Sequence, residues 1–166
     1  MPQSPLNVLF LCTHNSARSI LAEATLNHIG GNRFKGFSAG SSPSENQQPH
    51  PIGLQTLRNA GIATDGLRSK SWDEFALPDA PHMDLIITVC DNAAGEVCPF
   101  WPGKPATAHW GYADPSAGDG TDADKADAFK STLHAIRRRL DLLVNLPAAK
   151  LESMVIQQTA QELARD

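Results

Sequence analysis

The chain has 166 residues and a formal net charge of −4, with 41% hydrophobic and 19% charged residues. These values are typical of an ordinary globular protein and indicate one domain with a sizeable core. The acidic balance argues against a nucleic-acid or anionic-membrane partner, because both would require a basic patch. Any anion that this protein binds must therefore be held by a local group of donors.

The beginning of the chain and its cysteines indicate a reducing environment. The first residues carry no basic segment, and the apolar run at Leu6–Cys12 is too short for a signal peptide or a membrane span. We therefore expect a cytoplasmic protein, whose thiols are kept reduced. Three cysteines form no paired framework. Each is expected to be either a small buried side chain or a reactive thiol.

Strand and helix patterns alternate along the chain. In chain order we predict a strand at Leu6–Leu11, a helix at Ser19–Ile29, a strand at Lys35–Ala39, a helix at Pro51–Ala60, strands at Leu85–Val89 and Ala106–Trp110, and helices at Ala123–Leu146 and Ala149–Ala164. Such alternation is typical of an α/β fold with a parallel sheet covered on both faces. No repeat or linker divides residues 1–166, so we expect a single domain with residues 150–166 as a C-terminal helical extension.

Two cysteines follow predicted strands. Cys12 ends the first strand and Cys90 follows the third, at the sheet edge where α/β proteins bind ligands. If these two strands are neighbours, their backbones lie about 4.8 Å apart. That spacing is compatible with the Cα separation of roughly 4.4–6.8 Å found in disulfides. The residue pattern by itself leaves the strand order open.

The loop between the first strand and the first helix predicts an oxyanion site. Cys12 and Arg18 are separated by five residues, and the N–H groups of such a loop converge on an anion together with the helix dipole. The guanidinium of Arg18 can hold two oxygens, and this positive environment favours the thiolate of Cys12. The alternative is an unreactive buried cysteine followed by a surface arginine. The predicted oxyanion-binding residues are Thr13, His14, Asn15, Ser16, Ala17, Arg18 and Ser19.

Within this loop the side chains have different predicted roles. Ser19 is placed to donate a hydrogen bond to the sulfur of Cys12, and Asn15 to fix the loop conformation. His14 is expected to face solvent or the rim of the pocket, without a catalytic role.

The stretch Val8–Glu23, VLFLCTHNSARSILAE, resembles the start of the low-molecular-weight tyrosine phosphatase superfamily and, within it, the arsenate reductases. Further similar segments are Ser38-Ala39-Gly40, Ser69-Lys70-Ser71, Val89-Cys90, His109-Trp110-Gly111 and Asp114-Pro115. The resemblance implies a four-stranded parallel sheet in the order 2-1-3-4, with helices on both faces. It also implies that the end of the third strand lies beside the nucleophile loop.

The resemblance implies that Asp114, before Pro115, is the general acid that protonates the leaving oxygen. Without the family resemblance, an Asp-Pro pair in a segment rich in Gly, Ala and Ser would be interpreted as a turn. The residues after Pro115 are Ser116-Ala117-Gly118, where tyrosine phosphatases of this superfamily usually carry aromatic residues. The pocket is therefore predicted to take an inorganic oxyanion.

A reductase of this type needs a second thiol. The resemblance implies that Cys12 attacks arsenate and that Cys90 then forms a disulfide with Cys12. Cys98 next displaces Cys12, which leaves a Cys90–Cys98 disulfide. Arsenate is then the substrate, with phosphate or sulfate as mimics, and thioredoxin or glutaredoxin with glutathione is the electron donor. The seven residues between Cys90 and Cys98 do not identify the donor. Some slow phosphatase activity is expected from the same loop and acid.

Other functions find less support. The main alternative is a low-molecular-weight protein tyrosine phosphatase in which Cys90 restrains Cys12, and a second is an oxyanion sensor, which would not need Asp114. The six histidines are scattered, and no metal-binding spacing, nucleotide loop or cofactor motif is present. His109 is expected to be a packing residue, and the run Arg137-Arg138-Arg139 is expected to form the solvated face of the long helix.

Overall fold

The computed structural model describes residues 5–43, 48–91, 106–117, 120–146 and 161. Its elements, in chain order, are β1 (Leu6–Cys12), α1 (Arg18–Ile29), β2 (Phe34–Gly40), α2 (Pro51–Asn59), a 3₁₀ helix (Trp72–Phe75), β3 (Leu85–Thr88), β4 (Ala106–His109) and α3 (Asp122–Val144). These strands and α-helices agree with the predicted ones to within two residues at each end. The 3₁₀ helix was not predicted. The helix predicted at Ala149–Ala164 lies outside the described residues, except for position 161.

The four strands form one parallel sheet in the order β2-β1-β3-β4. This confirms the predicted topology, including the contact between β1 and β3 that the residue pattern left open. The pairing of Leu11 with Thr88 continues beyond β3, where the N–H of Val89 donates to the Leu11 carbonyl at 2.9 Å. The carboxyl ends of β1 and β3 therefore meet at one edge of the sheet.

Strand β1 is buried on both faces, which explains its continuous apolar sequence. Val8 and Phe10 face a core formed with α1, α2 and α3, whereas Leu9 and Leu11 face a second core. The second core includes Trp72 and Phe75 of the 3₁₀ helix, together with the residues Phe37, Ala39, Met83 and Ile86. Within the described residues, the α-helices thus cover one face of the sheet and the 3₁₀ helix packs on the other.

Helix α3 presents the predicted apolar stripe to the core. Its buried side chains are Phe129, Leu133, Ile136, Leu140 and Leu143, and burial of each contributes about 1.5–3 kcal/mol. The helix begins with a capping box between Thr121 and Asp124. No helix in the described part of the chain is long and apolar enough to cross a membrane.

One surface prediction for α3 is wrong in part. Arg138 is exposed and Arg137 is half-buried beside Asp141, but the guanidinium of Arg139 lies over the rings of Trp110 and Tyr112. The helical period explains the difference, because Arg139 precedes the buried Leu140 and follows Ile136 by three residues.

Candidate active site

Cys12 is the last residue of β1 and lies at the carboxyl edge of the sheet. Its side chain is a free thiol and only 3% exposed. The backbone N–H of Asn15 donates to its sulfur at 3.2 Å, and the Ser19 hydroxyl oxygen lies 2.9 Å from the same sulfur. A backbone N–H and a side-chain hydroxyl thus meet at one sulfur.

Asn15 sets the shape of the loop. Its backbone has a positive φ of 49° and the residue is fully buried, which asparagine tolerates better than most residues. Its side-chain oxygen accepts the N–H of Lys70 at 2.9 Å, so its NH₂ group donates to Ser19 Oγ at 2.7 Å. Since Ser19 Oγ already accepts this bond, its own hydrogen is available for the sulfur of Cys12.

The N-terminus of α1 differs from those of α2 and α3. The N-cap residue Ala17 makes no side-chain capping bond, and the first turn contains no acidic residue. By contrast, His50 caps α2 and Thr121 caps α3 through side-chain atoms. The first N–H groups of a helix need acceptors. In α1, an oxyanion bound beside Cys12 would meet this need.

Arg18 connects the loop to the segment after β4. It is 4% exposed, and its Nη1 donates to the carbonyl of Tyr112 at 2.9 Å. Its Nη2 lies 3.9 Å from Oδ2 of Asp114. The predicted nucleophile loop and the predicted acid, which are far apart in sequence, are therefore brought together by this arginine.

The carboxylate of Asp114 is oriented by Ser116. Oδ1 of Asp114 accepts both the backbone N–H of Ser116, at 2.9 Å, and its hydroxyl, at 2.7 Å. This turn directs the other oxygen towards Arg18. Sequence reasoning used Ser116 only as a non-aromatic residue and missed this role, although an Asp side chain commonly accepts a hydrogen bond from the backbone N–H two residues later.

Backbone contacts from three segments close around the loop. An added Cβ on Gly40 would lie 2.5 Å from the Thr13 carbonyl oxygen and 3.0 Å from the Asn15 nitrogen, so only glycine fits there. The N–H of Ser42 donates to the Thr13 carbonyl, and the N–H of His50 donates to the Ser16 carbonyl, each at 2.8 Å. His14 is exposed, with Nδ1 3.0 Å from the Ser42 carbonyl oxygen, in agreement with its predicted place at the rim.

A buried ion pair supports the loop from behind. Lys70 Nζ lies 3.6 Å from the Glu23 carboxylate and donates to the carbonyls of Ser38 and Arg68, each at 2.9 Å. Ser38 also donates its hydroxyl to Glu23. Burial raises the pKa of Glu23 and lowers that of Lys70, while their mutual attraction opposes both shifts. The backbone N–H of Lys70 also donates to the side-chain oxygen of Asn15. The Ser69-Lys70-Ser71 segment therefore supports the loop.

Cys90 follows β3 at the same edge of the sheet as Cys12. It is fully buried and disulfide-bonded, and Cys12 is not its partner because Cys12 is free. The predicted neighbouring position of these two residues agrees with the contact of Val89 with Leu11. Cys98 lies outside the described residues.

His109 ends β4 beside this edge. Its Nδ1 lies 2.6 Å from the hydroxyl oxygen of Thr88, and burial is the main cause of its lowered pKa. The side chain is thus held by a hydrogen bond as well as by packing. Within the described residues, no group of three or more potential ligands suited to a metal ion occurs.

Comparison with known proteins agrees with this geometry. The family model for low molecular weight phosphotyrosine protein phosphatases matches residues 7–159. An arsenate reductase of Halalkalibacterium halodurans is 33% identical over 133 residues, or 80% of this chain and 91% of that protein. The structure of an arsenate reductase from Archaeoglobus fulgidus DSM 4304 has a TM-score of 0.67 and 28% identity, covering 84% of this chain and 99% of the other.

A second structure is similar over a smaller share of its own length. The thioredoxin-dependent arsenate reductase Cg_ArsC1' of Corynebacterium glutamicum has a TM-score of 0.55 and 26% identity, covering 86% of this chain and 65% of the other. Together, these similarities confirm the resemblance predicted from the Cys12–Ser19 loop and the segments after it.

Proposed function

We propose that this chain, which belongs to the low molecular weight phosphotyrosine protein phosphatase family, reduces arsenate to arsenite. The observation that carries the proposal is a cysteine thiol in an oxyanion loop, with a second cysteine at the end of the neighbouring strand. Curated arsenate reductases with about one-third identity over most of the chain support the choice of substrate.

In the first step, the thiolate of Cys12 attacks arsenic and displaces one oxygen of arsenate. The loop N–H groups and the guanidinium of Arg18 bind the remaining oxygens, and they stabilise the negative charge where it develops. Asp114 donates a proton to the departing oxygen, which leaves as water. The distance of 3.9 Å between Arg18 and Asp114 supports these adjacent roles.

In the second step, electrons move into arsenic. The thiolate of Cys90 attacks the sulfur of Cys12, the sulfur–arsenic bond breaks, and its electron pair stays on arsenic, which leaves as arsenite. The product is a Cys12–Cys90 disulfide. The thiolate of Cys98 then attacks Cys90, which releases Cys12 and leaves Cys90–Cys98. A free Cys12 beside a disulfide-bonded Cys90 is consistent with the end of this sequence.

An external dithiol or thiol pair must return two electrons to the Cys90–Cys98 disulfide. We propose thioredoxin, or glutaredoxin with glutathione, as this donor. Similarity to the thioredoxin-dependent enzyme of Corynebacterium glutamicum supports the first choice. Offering each donor system separately to the purified protein distinguishes the two.

The relay predicts distinct defects for Cys90→Ser and Cys98→Ser. Cys90→Ser should abolish arsenite production, because it removes the thiol that lies at the same sheet edge as Cys12 and breaks the sulfur–arsenic bond. It should leave slow hydrolysis of an aryl phosphate by Cys12 nearly intact.

Cys98→Ser should yield at most one arsenite per enzyme, because the Cys12–Cys90 disulfide is then not resolved. Arsenite is measured with thioredoxin and glutaredoxin systems in parallel.

Two results would contradict the relay. A Cys90→Ser variant that reduces arsenate at the wild-type rate removes Cys90 from the scheme, and sustained turnover by Cys98→Ser removes Cys98. Aryl phosphate hydrolysis by wild type without any arsenite production would instead favour the alternative function, a low-molecular-weight protein tyrosine phosphatase. The small residues at Ser116 and Ala117, beside Asp114, argue against that alternative, since they offer no aromatic surface to a phenyl ring.

A further inference from the structure

Arg139 lies over the aromatic residues that follow β4. Its Cζ is 5.9 Å from the ring centre of Trp110 and 5.0 Å from that of Tyr112. Trp110 is fully buried and Tyr112 is 8% exposed. A guanidinium at these distances is attracted by the faces of aromatic rings, and more strongly when water is excluded. The cation therefore joins α3 to the segment that leads to Asp114.

The same segment holds the arginine of the oxyanion loop. Arg18 Nη1 donates to the Tyr112 carbonyl at 2.9 Å, and Nη2 faces Asp114 two residues further along. The ring of Tyr112 thus contacts one arginine, and its backbone carbonyl binds the other. The Tyr112 N–H also donates to the Val89 carbonyl at 3.3 Å, which fixes the segment on the sheet side.

We propose that Arg139 is a positioning residue for oxyanion binding. Stacked on Trp110 and Tyr112, it holds the segment at 110–114 so that the Tyr112 carbonyl orients Arg18 and keeps it beside Asp114. The inference deepens the proposed function and depends on it only for the identity of the oxyanion. A guanidinium suits this place, because its Cζ lies over both rings, whereas a lysine ammonium is a compact and strongly hydrated charge.

The consequence is an effect on ligand affinity at a distance from the ligand. When the stack is lost, Tyr112 can shift, and its carbonyl no longer fixes Arg18. Small displacements of substrate-holding groups have large effects on binding and rate. Arg138, the adjacent residue of α3, is exposed and serves as a matched control for loss of one positive charge from the same helix turn.

The test measures how inorganic arsenate protects Cys12 from alkylation. Reduced protein that carries Cys90→Ser, so that bound arsenate is not converted to arsenite, is treated with iodoacetamide at increasing arsenate concentrations, and modification of the Cys12 peptide is followed by mass spectrometry. Arg139→Met should raise the half-protecting arsenate concentration by about tenfold, a factor within the range of desolvated cation–π contacts. Arg138→Met should leave it unchanged. Arg139→Lys, which keeps the charge but not the planar group, should fall between wild type and Arg139→Met.

A purely structural role gives a different pattern. If Arg139→Met lowers the melting temperature but is protected at the wild-type arsenate concentration, the inference is overturned. If Arg139→Met does not fold, Arg139→Lys decides: half-protection at the wild-type concentration overturns the inference, and a raised concentration supports it. The assay needs no turnover, so a wild-type protein that is protected by arsenate yet forms no arsenite would count against the proposed function alone.

Discussion

At Cys12, the direction of each hydrogen bond is set by residues from distant parts of the chain. The N–H of Lys70 occupies the side-chain oxygen of Asn15, so the Asn15 amide donates to Ser19, and the Ser19 hydroxyl is left to donate to the sulfur. The hydrogen bonds at one sulfur thus depend on the orientation of one amide.

A prediction at the residue scale concerns Asp114, the proposed general acid. Asp114→Asn keeps the size of the side chain and can still accept hydrogen bonds from Ser116. It removes the proton donor for the departing oxygen. Turnover of arsenate should fall by roughly 10²- to 10⁴-fold, the usual contribution of general acid catalysis. The measurement is kcat with saturating thiol donor.

Asp122→Asn at the start of α3 is the control for loss of one carboxylate, because Asp122, like Asp114, acts electrostatically on His50. It should retain wild-type kcat. An Asp114→Asn variant with unchanged kcat would show that the oxygen leaves without help from this residue.

At the scale of elements, the Glu23–Lys70 pair ties α1 to β2 and to the segment before the 3₁₀ helix. Both side chains are almost fully enclosed, with exposures of 14% and 11%. A buried charge is tolerated only when its partner and hydrogen bonds are present. Ser38 contributes through both its hydroxyl and its carbonyl.

Replacing one member of the Glu23–Lys70 pair should lower the free energy of unfolding more than its share of the loss when both members are replaced. Lys70→Met leaves the Glu23 carboxylate buried without its cation, and we expect a loss of about 3 kcal/mol in the free energy of unfolding. The double variant Glu23→Gln with Lys70→Met should be less destabilised than the sum of the two single variants. Urea denaturation of the four proteins gives the coupling energy.

Arg68→Met offers a matched control in the same segment. The Arg68–Glu74 pair is exposed, with side-chain exposures of 46% and 39%, so its loss should cost less than about 1 kcal/mol. Equal losses for Lys70→Met and Arg68→Met would mean that burial of the Glu23–Lys70 pair has no energetic consequence.

At the scale of the whole molecule, His50 couples the packing of two helices to the oxyanion loop. The ring of His50 accepts the Ile52 N–H through Nδ1 at the start of α2, and it lies 5.0 Å from the ring of Phe129 in α3. The backbone N–H of His50 donates to the Ser16 carbonyl in the oxyanion loop. Burial, followed by the charge of Lys125, lowers the pKa of His50, whereas Asp114 and Asp122 act in the opposite direction. The folded protein therefore favours the neutral imidazole.

This shift predicts a pH dependence of stability. A lowered pKa of His50 contributes stability above its ordinary value of 6.5, and this contribution is lost as the pH falls through the lower value in the folded state. His50→Asn keeps a capping acceptor but does not titrate. Between about pH 7.5 and about pH 5, wild type should lose more stability than His50→Asn in urea denaturation. Parallel pH profiles for the two proteins would contradict the assignment.

The sequence by itself determined the elements, the nucleophile loop and the type of chemistry. Continuous apolar runs and helical periods are local patterns, so β1, β3 and α3 could be recognised without their neighbours. The spacing of Cys12 and Arg18 is also local, because one loop between a strand and a helix creates the oxyanion site. Family resemblance supplied the strand order, which hydrophobic patterns do not encode.

Only the tertiary structure decided which side chains support the loop. Four contacts join residues that are distant in sequence or depend on one rotamer. They are the Lys70–Asn15 hydrogen bond, the close approach of Gly40 to the loop, the Ser116 turn at Asp114 and the position of Arg139 over two rings. A sequence pattern shows that Arg139 is charged, but not that Trp110 and Tyr112 lie beneath it. Such contacts depend on how strand ends and helix faces meet once the sheet has formed.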